Sequence, residues 1–177
     1  MFSTREGLHR HGRRAAAYSG AMGNDAGTGR RTSAVDDHTK AFIGAREALH
    51  KALAIDADTG EVAWMQGIQQ AIQSLGGLLK VHQGESEKAG GLLREITSTK
   101  PALVGEVDRL EREHIEMLHR SNAIEQEIER QLAFEEYKVE LVRMEAEVLH
   151  AILHLHLLRT DWLLYEVYFR DEGGEEG

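Results

Sequence analysis

The chain has 177 residues, enough for one domain, with one proline, no cysteine, ten histidines and a net charge of −9. Without cysteine there is no disulfide framework, thiolate metal site or cysteine nucleophile, and a reducing cytoplasm is the expected compartment. The acidic balance argues against a nucleic-acid surface. Charges interrupt every apolar run, and the first residues lack an apolar signal core, so neither a spanning helix nor secretion is expected.

Residues 1–34 read as a flexible Gly/Arg-rich extension without hydrophobic periodicity. It holds six arginines against Glu6 and Asp25, so it carries +4 and the remainder −13 of the −9 total. Met22 is an alternative start within it, and "RRTS" (Arg30–Ser33) resembles a basophilic kinase site, a tetrapeptide common by chance. From Val35 the pattern turns helical. Phe42, Ala45, Leu49 and Leu53 recur at steps of three and four, with Asp36 or Asp37 as N-cap. "DADTGE" (Asp56–Glu61) is a turn. A second helix carries Ile68, Ile72, Leu75 and Leu79 and frays near Gly90–Gly91. "STKP" (Ser98–Pro101) starts a third helix, with Leu103, Val107, Leu110, Ile115 and Leu118, that reaches about Gln131. After a short break a fourth runs to about Phe169. Residues 171–177 are an acidic tail. No segment alternates as a strand does. Residues 35–170 are therefore expected to form an all-α, up-down-up-down four-helix bundle.

Extending each apolar stripe by three or four residues reaches a histidine. Phe42 and Ala45 lead back to His38, Leu75 and Leu79 lead on to His82, Val107 and Leu110 to His114, and Leu149 and Leu153 to His156. At about 1.5 Å per residue, these four positions fall at one height in an up-down bundle, within a turn or two. Glu85, Glu87 and Asp161 follow closely in sequence. Imidazoles and carboxylates projecting inward from facing helices are how bundles hold transition-metal ions. A buried imidazole left unpaired costs about 1–3 kcal/mol, so four of them require partners of some kind. The opposing reading is that each is a satisfied core or rim residue, which is the ordinary fate of a single histidine on an apolar face. His50 lies about 18 Å along the first helix from His38, too far to join. His119 and His150 fit exposed or rim positions, His154 lies off the stripe of His156, and His9 and His11 belong to the N-terminal extension.

The stretches "LLKVHQGESEKAGGLLREI", "VDRLEREHIEML" and "HLLRTDWLLYEVYFRDEGG" resemble hemerythrin-like domains of the actinobacterial type, over roughly residues 36–175. The short patterns that carry the likeness are L-x-x-E-H (Leu110–His114) and H-x-x-x-x-D (His156–Asp161). The resemblance implies a four-helix bundle with a non-haem di-iron centre. His38, His82, His114, His156 and Asp161 match the family's ligand pattern. Two positions depart: Ser86 stands where a glutamate is expected, with Glu85 and Glu87 on either side, and Leu118 stands where a second helix-three histidine is expected. On this likeness His38 and His82 hold one metal, His114 and His156 the other, and Asp161 with Glu85 bridges them or balances charge. Tyr165 is a further candidate oxygen ligand. Iron is the expected ion, one or two per chain, with manganese or zinc as alternatives.

The function that follows is binding or sensing of a small ligand such as oxygen, nitric oxide or peroxide, with at most weak peroxide-decomposing or oxidase activity. The rival is a metal-free interaction module in which Trp162, Tyr165, Tyr168 and Phe169 bind a partner or a second copy, giving a homodimer through the C-terminal helix. A histidine-layer pH switch is a third reading. No nucleophile elbow or phosphate loop supports a hydrolase or transferase.

Overall fold

The structure, a computed structural model, describes the backbone of residues 26–168 and 170, and the side chains from Lys40 onward in that range apart from Thr59 and Phe169. The acidic tail and most of the N-terminal extension expected from composition lie outside the described residues. The chain divides into two units, 1–41 and 42–177. What is described of the first is helical backbone from Ala26, part of helix α1 (Ala26–Leu53). The helix thus starts upstream of the expected Asp36 or Asp37 cap. No proline stops it there, and Arg30, Arg31 and Ala34 are good helix formers.

The second unit holds the remainder of α1, then α2 (Glu61–Glu87), a short α3 (Leu92–Thr99), α4 (Val104–Phe134) and α5 (Val139–Tyr168). Among the described residues there is no strand, and no helix is long and apolar enough to cross a membrane. The expected turn at Asp56 is a 3-10 turn, Ala57–Thr59, capped by the Asp56 carboxylate accepting from the Asp58 N–H at 3.0 Å. Helix α3 is the element that the periodicity did not suggest. Its eight residues are too short for a repeat, but Leu93 and Ile96 bury against Val107, Leu110 and Leu163 as a second, smaller core.

The main core draws on all four long helices. Phe42, Leu49, Ile68, Ile72, Leu75, Leu79, Met117, Ile128, Leu149 and Leu153 are almost wholly buried in it. Each such side chain contributes about 1.5–3 kcal/mol relative to exposure. Cross-helix contacts fix the directions. Residue 73 meets 125 and 82 meets 114, residue 120 meets 145 and 113 meets 156, and residue 42 meets 82. Successive long helices therefore run antiparallel, as the apolar stripes imply. Gly76 permits close approach of α2 and α4, since a Cβ there would stand 3.0 Å from Ser121 Oγ.

The α4–α5 turn hangs on one buried amide. Gln131 donates to Glu127 Oε1 at 2.8 Å and accepts from the Lys138 backbone N–H at 2.5 Å, while its own carbonyl accepts from Glu136 N at 3.2 Å. Glu135 closes α4 in the left-handed region, φ 55°. Hydrogen bonds from Arg130 and Gln131 hold the Glu127 carboxyl down at about 2. Replacing Gln131 with leucine preserves volume but strands the Lys138 N–H. The expected loss is about 1–3 kcal/mol in urea unfolding, and a loss below about 0.5 kcal/mol would show that the amide is not what holds the turn.

Candidate metal centre

Three helices deliver the site. His82 comes from the last third of α2, just past its buried Leu79, while His114 in the N-terminal half of α4 and His156 in the second half of α5 sit within buried stripes that continue to Gln131 and Leu163. One ligand atom from each can be chosen so that all three lie within 4.8 Å of one another. His114 and His156 are buried and His82 is half-buried. The rings pack against each other, His114 on His156 at 4.8 Å between centroids and His82 edge-on to both at 5.0 and 5.5 Å. Phe42 of α1 stacks on His82 at 5.1 Å and closes one side.

The outward nitrogens are anchored. His114 Nδ1 lies 2.7 Å from Glu87 Oε1, and His156 Nδ1 lies 3.1 Å from Glu113 Oε2. An ionised carboxylate only accepts, so Nδ1 is the donating nitrogen on each ring, and a neutral ring in that tautomer would keep its Nε2 lone pair. His156 Nε2 stands 3.3 Å from His82 Nε2. His114 Nε2 is buried and finds no hydrogen-bond partner among the described residues. A carboxylate behind the imidazole, fixing its tautomer and raising its basicity, is the recurrent outer partner of a metal-ligating histidine.

Electrostatics follow from this packing. Burial is the main cause that pushes His114 below the ordinary histidine range, with the Glu87 carboxylate opposing it. The ring is consequently neutral at pH 7, the state a metal ligand requires. Burial works to raise the Glu113 carboxyl, but the hydrogen bond from His156 and the charges of Arg159, His156 and Arg109 outweigh it and hold the group low. Arg159 donates to Glu113, and Arg109 Nε lies 3.4 Å from the same oxygen.

Of the six residues expected at the site, His82, His114 and His156 meet. The side chain of His38 lies outside the described residues. Glu85 is exposed and ion-paired with Lys88. Asp161 is exposed and outside the histidine group, although desolvation raises its carboxyl. Helix geometry accounts for Asp161: five residues turn it about 140° away from His156. Tyr165 is also exposed. The carboxylates that do reach the imidazoles are Glu87 and Glu113. Glu113 sits inside the L-x-x-E-H pattern, immediately before His114. Its signal was an acid flanked four residues earlier by Arg109 and facing Arg159 on the next helix, a relation that only the helix pairing reveals. Elsewhere His50 and His150 stack at 5.1 Å, His154 takes a 2.9 Å hydrogen bond with Arg46, and His119 is exposed.

The donor set can be tested against the expected metals. Imidazole nitrogens suit iron, zinc, copper and nickel, whereas manganese, magnesium and calcium favour oxygen. With bonds of about 2.0–2.1 Å, the edge of a tetrahedral nitrogen site is about 3.3–3.4 Å, which the His82–His156 separation matches. The group as a whole spreads to within 4.8 Å, so the three histidines could hold one transition-metal ion once the rings draw together. Compared with known proteins, the chain matches no protein-family model, no curated protein and no solved structure.

Proposed function

We propose that this bundle is a non-haem metal protein in which His82, His114 and His156 hold one divalent ion, iron in the first instance, with a coordination position left for a small ligand. The observation that carries the reading is the pair of anchored imidazoles: two buried rings beside His82 are each tied back through Nδ1 to a carboxylate, and His156 Nε2 stands 3.3 Å from His82 Nε2. Nothing in ordinary core packing calls for that arrangement, and the His114 Nε2 lone pair is costly without a cation. Three neutral ligands leave the ion's charge to be balanced by Glu87 and Glu113 from the outer sphere, which fits the low position of the Glu113 carboxyl.

On this reading one ion per chain replaces the two that the hemerythrin-like resemblance implies, supported by the grouping of His82, His114 and His156 within 4.8 Å and by the exposed positions of Glu85 and Asp161 outside that group. A bound iron would supply reversible binding or activation of oxygen, nitric oxide or peroxide. The residues themselves supply orientation, exclusion of water by Phe42 and the surrounding leucines, and charge balance. A zinc centre is the second reading, favoured by the tetrahedral edge and the all-nitrogen donor set.

The experiment is metal analysis of untagged protein with an aerobic visible spectrum and nitric oxide titration. About one iron per chain and a new absorption band with nitric oxide support the first reading. One zinc per chain and no such band support the second. Protein that stays metal-free after anaerobic loading with each ion in turn overturns both.

A further inference from the structure

Helix α5 has a second apolar face. Leu141, Met144 and Val148 are exposed on it, followed by Ala151. Leu155, Leu158, Trp162 and Tyr165 continue the series, and all but the alanine are large side chains between 38 and 56% exposed. The steps are three, four, three, four, three, four and three, the a/d repeat of a coiled-coil seam held over more than three heptads. The core-facing residues Val142, Ala146, Leu149, Leu153, His156 and Leu163 lie on the opposite side of the same helix. A surface helix needs one apolar stripe. This one carries two, back to back, and the outer one is exposed.

We propose that the outer face of α5 pairs with the same face of a second copy of this chain, the two helices antiparallel across a twofold axis near residue 153. Area is the first argument for this occupant. The stripe exposes on the order of 700 Å² per chain, so a symmetric pair can bury up to roughly 1,400 Å², a bound that reaches the about 1,200–2,000 Å² typical of stable interfaces. The stripe also fits itself: in this register Leu141 lies against Tyr165, Met144 against Trp162, Val148 against Leu158, and Ala151 against Leu155. Every layer sets unequal side chains together, as interdigitation requires.

Charge along the flanks selects the direction. Antiparallel pairing sets Glu145, bonded to Arg120 in its own chain, near Arg159 of the other copy, which also serves Glu113, so that each charge is shared rather than newly paired, and it brings Glu147 near Asp161 on the other flank. Parallel pairing sets Glu140 beside Glu145 and Asp161 beside Glu166, so its acidic pairs are all repulsive. The antiparallel arrangement is favoured on that count.

The test is sedimentation equilibrium of the full chain up to about 200 µM, with Leu155→Glu/Leu158→Glu as the variant. Both side chains point away from the core, so circular dichroism should be unchanged. The expected result is a dimer that the variant weakens by at least about 100-fold. Because the natural chain lacks cysteine, direction is read from single-cysteine variants. Leu141→Cys mixed with Tyr165→Cys should give a disulfide-linked dimer, and Leu141→Cys alone should not. A monomeric wild type, a dimer indifferent to the glutamates, or self-crosslinking by Leu141→Cys would each overturn the proposal.

Discussion

Removing the His114 imidazole should abolish the stabilisation that a bound ion gives this bundle. A ligand held only by the folded state stabilises it by about 4 kcal/mol at a thousand times its dissociation constant. His114→Ala deletes one of the three grouped imidazoles, whose buried Nε2 has no hydrogen-bond partner among the described residues, leaving two imidazoles and an affinity too low for that gain. In metal-free protein the same substitution costs less than an ordinary core truncation. The lost packing and the lost bond to Glu87 are offset in part by removal of an unpartnered polar atom, worth about 1–3 kcal/mol. Glu113→Gln should be intermediate, weakening the ion by about 10–100-fold while leaving all three ligands in place. The measurement is urea unfolding with and without saturating iron(II) or zinc. An ion-dependent shift that survives in His114→Ala would place the metal elsewhere.

Acid should oppose the ion in the same assay. Because His114 sits below the ordinary histidine range, the unfolded chain takes up a proton near pH 6.5 that the folded one resists. The stability attached to this ring is thus full above about pH 6.5 and is lost as pH falls from there toward the lowered folded value.

The helices and their inner faces were legible because burial in a bundle repeats every three or four residues, and His82, His114 and His156 are simply the polar members of those repeats. Counting rise per residue brought them to one height. What lay beyond reach was angular and cross-helix. Asp161 follows His156 in the chain yet points elsewhere, while Glu113, next to His114, turns to serve His156 on another helix. Glu87, five residues past His82, reaches His114 across the α2–α4 seam. Periodicity locates a stripe but does not say which helix a flanking carboxylate will face. The apolar character of α5 has a different origin. Residues 152–169 look apolar all round, and the explanation is two faces, one inward holding His156 and one outward holding Leu155, Leu158 and Trp162.

A glycine pair that looked like a mere break controls how the site is closed, and Gly91→Ala should show it. Gly90 turns the chain at φ 74°, and Gly91, buried, precedes α3 at φ −77°, a value any residue can adopt. Its constraint is space. A Cβ on Gly91 would stand 2.6 Å from the carbonyl oxygens of Glu85 and Ser86 and 2.9 Å from that of Lys88. These are backbone atoms of the α2 end and cannot rotate aside as a side chain would. The clash must shift the last turn of α2 or undock α3, whose Leu93 and Ile96 fill the smaller core. Overpacking of this kind costs about 1–3 kcal/mol. The carboxylate that anchors His114 rides on that same turn, since Glu87 lies between the carbonyls concerned, and its own carbonyl accepts from Arg94 at 3.2 Å. Gly91→Ala should therefore weaken metal binding as well as folding, by up to about 10–100-fold if the Glu87–His114 contact is lost. Gly77→Ala supplies the contrast: it is exposed within α2 with nothing inside 4 Å of a new Cβ, and should stabilise by about 0.5–1 kcal/mol with metal affinity unchanged. Urea midpoints and metal titrations on the two variants decide the matter. Equal behaviour would mean that the corner yields freely and that Glu87 is not positioned by it.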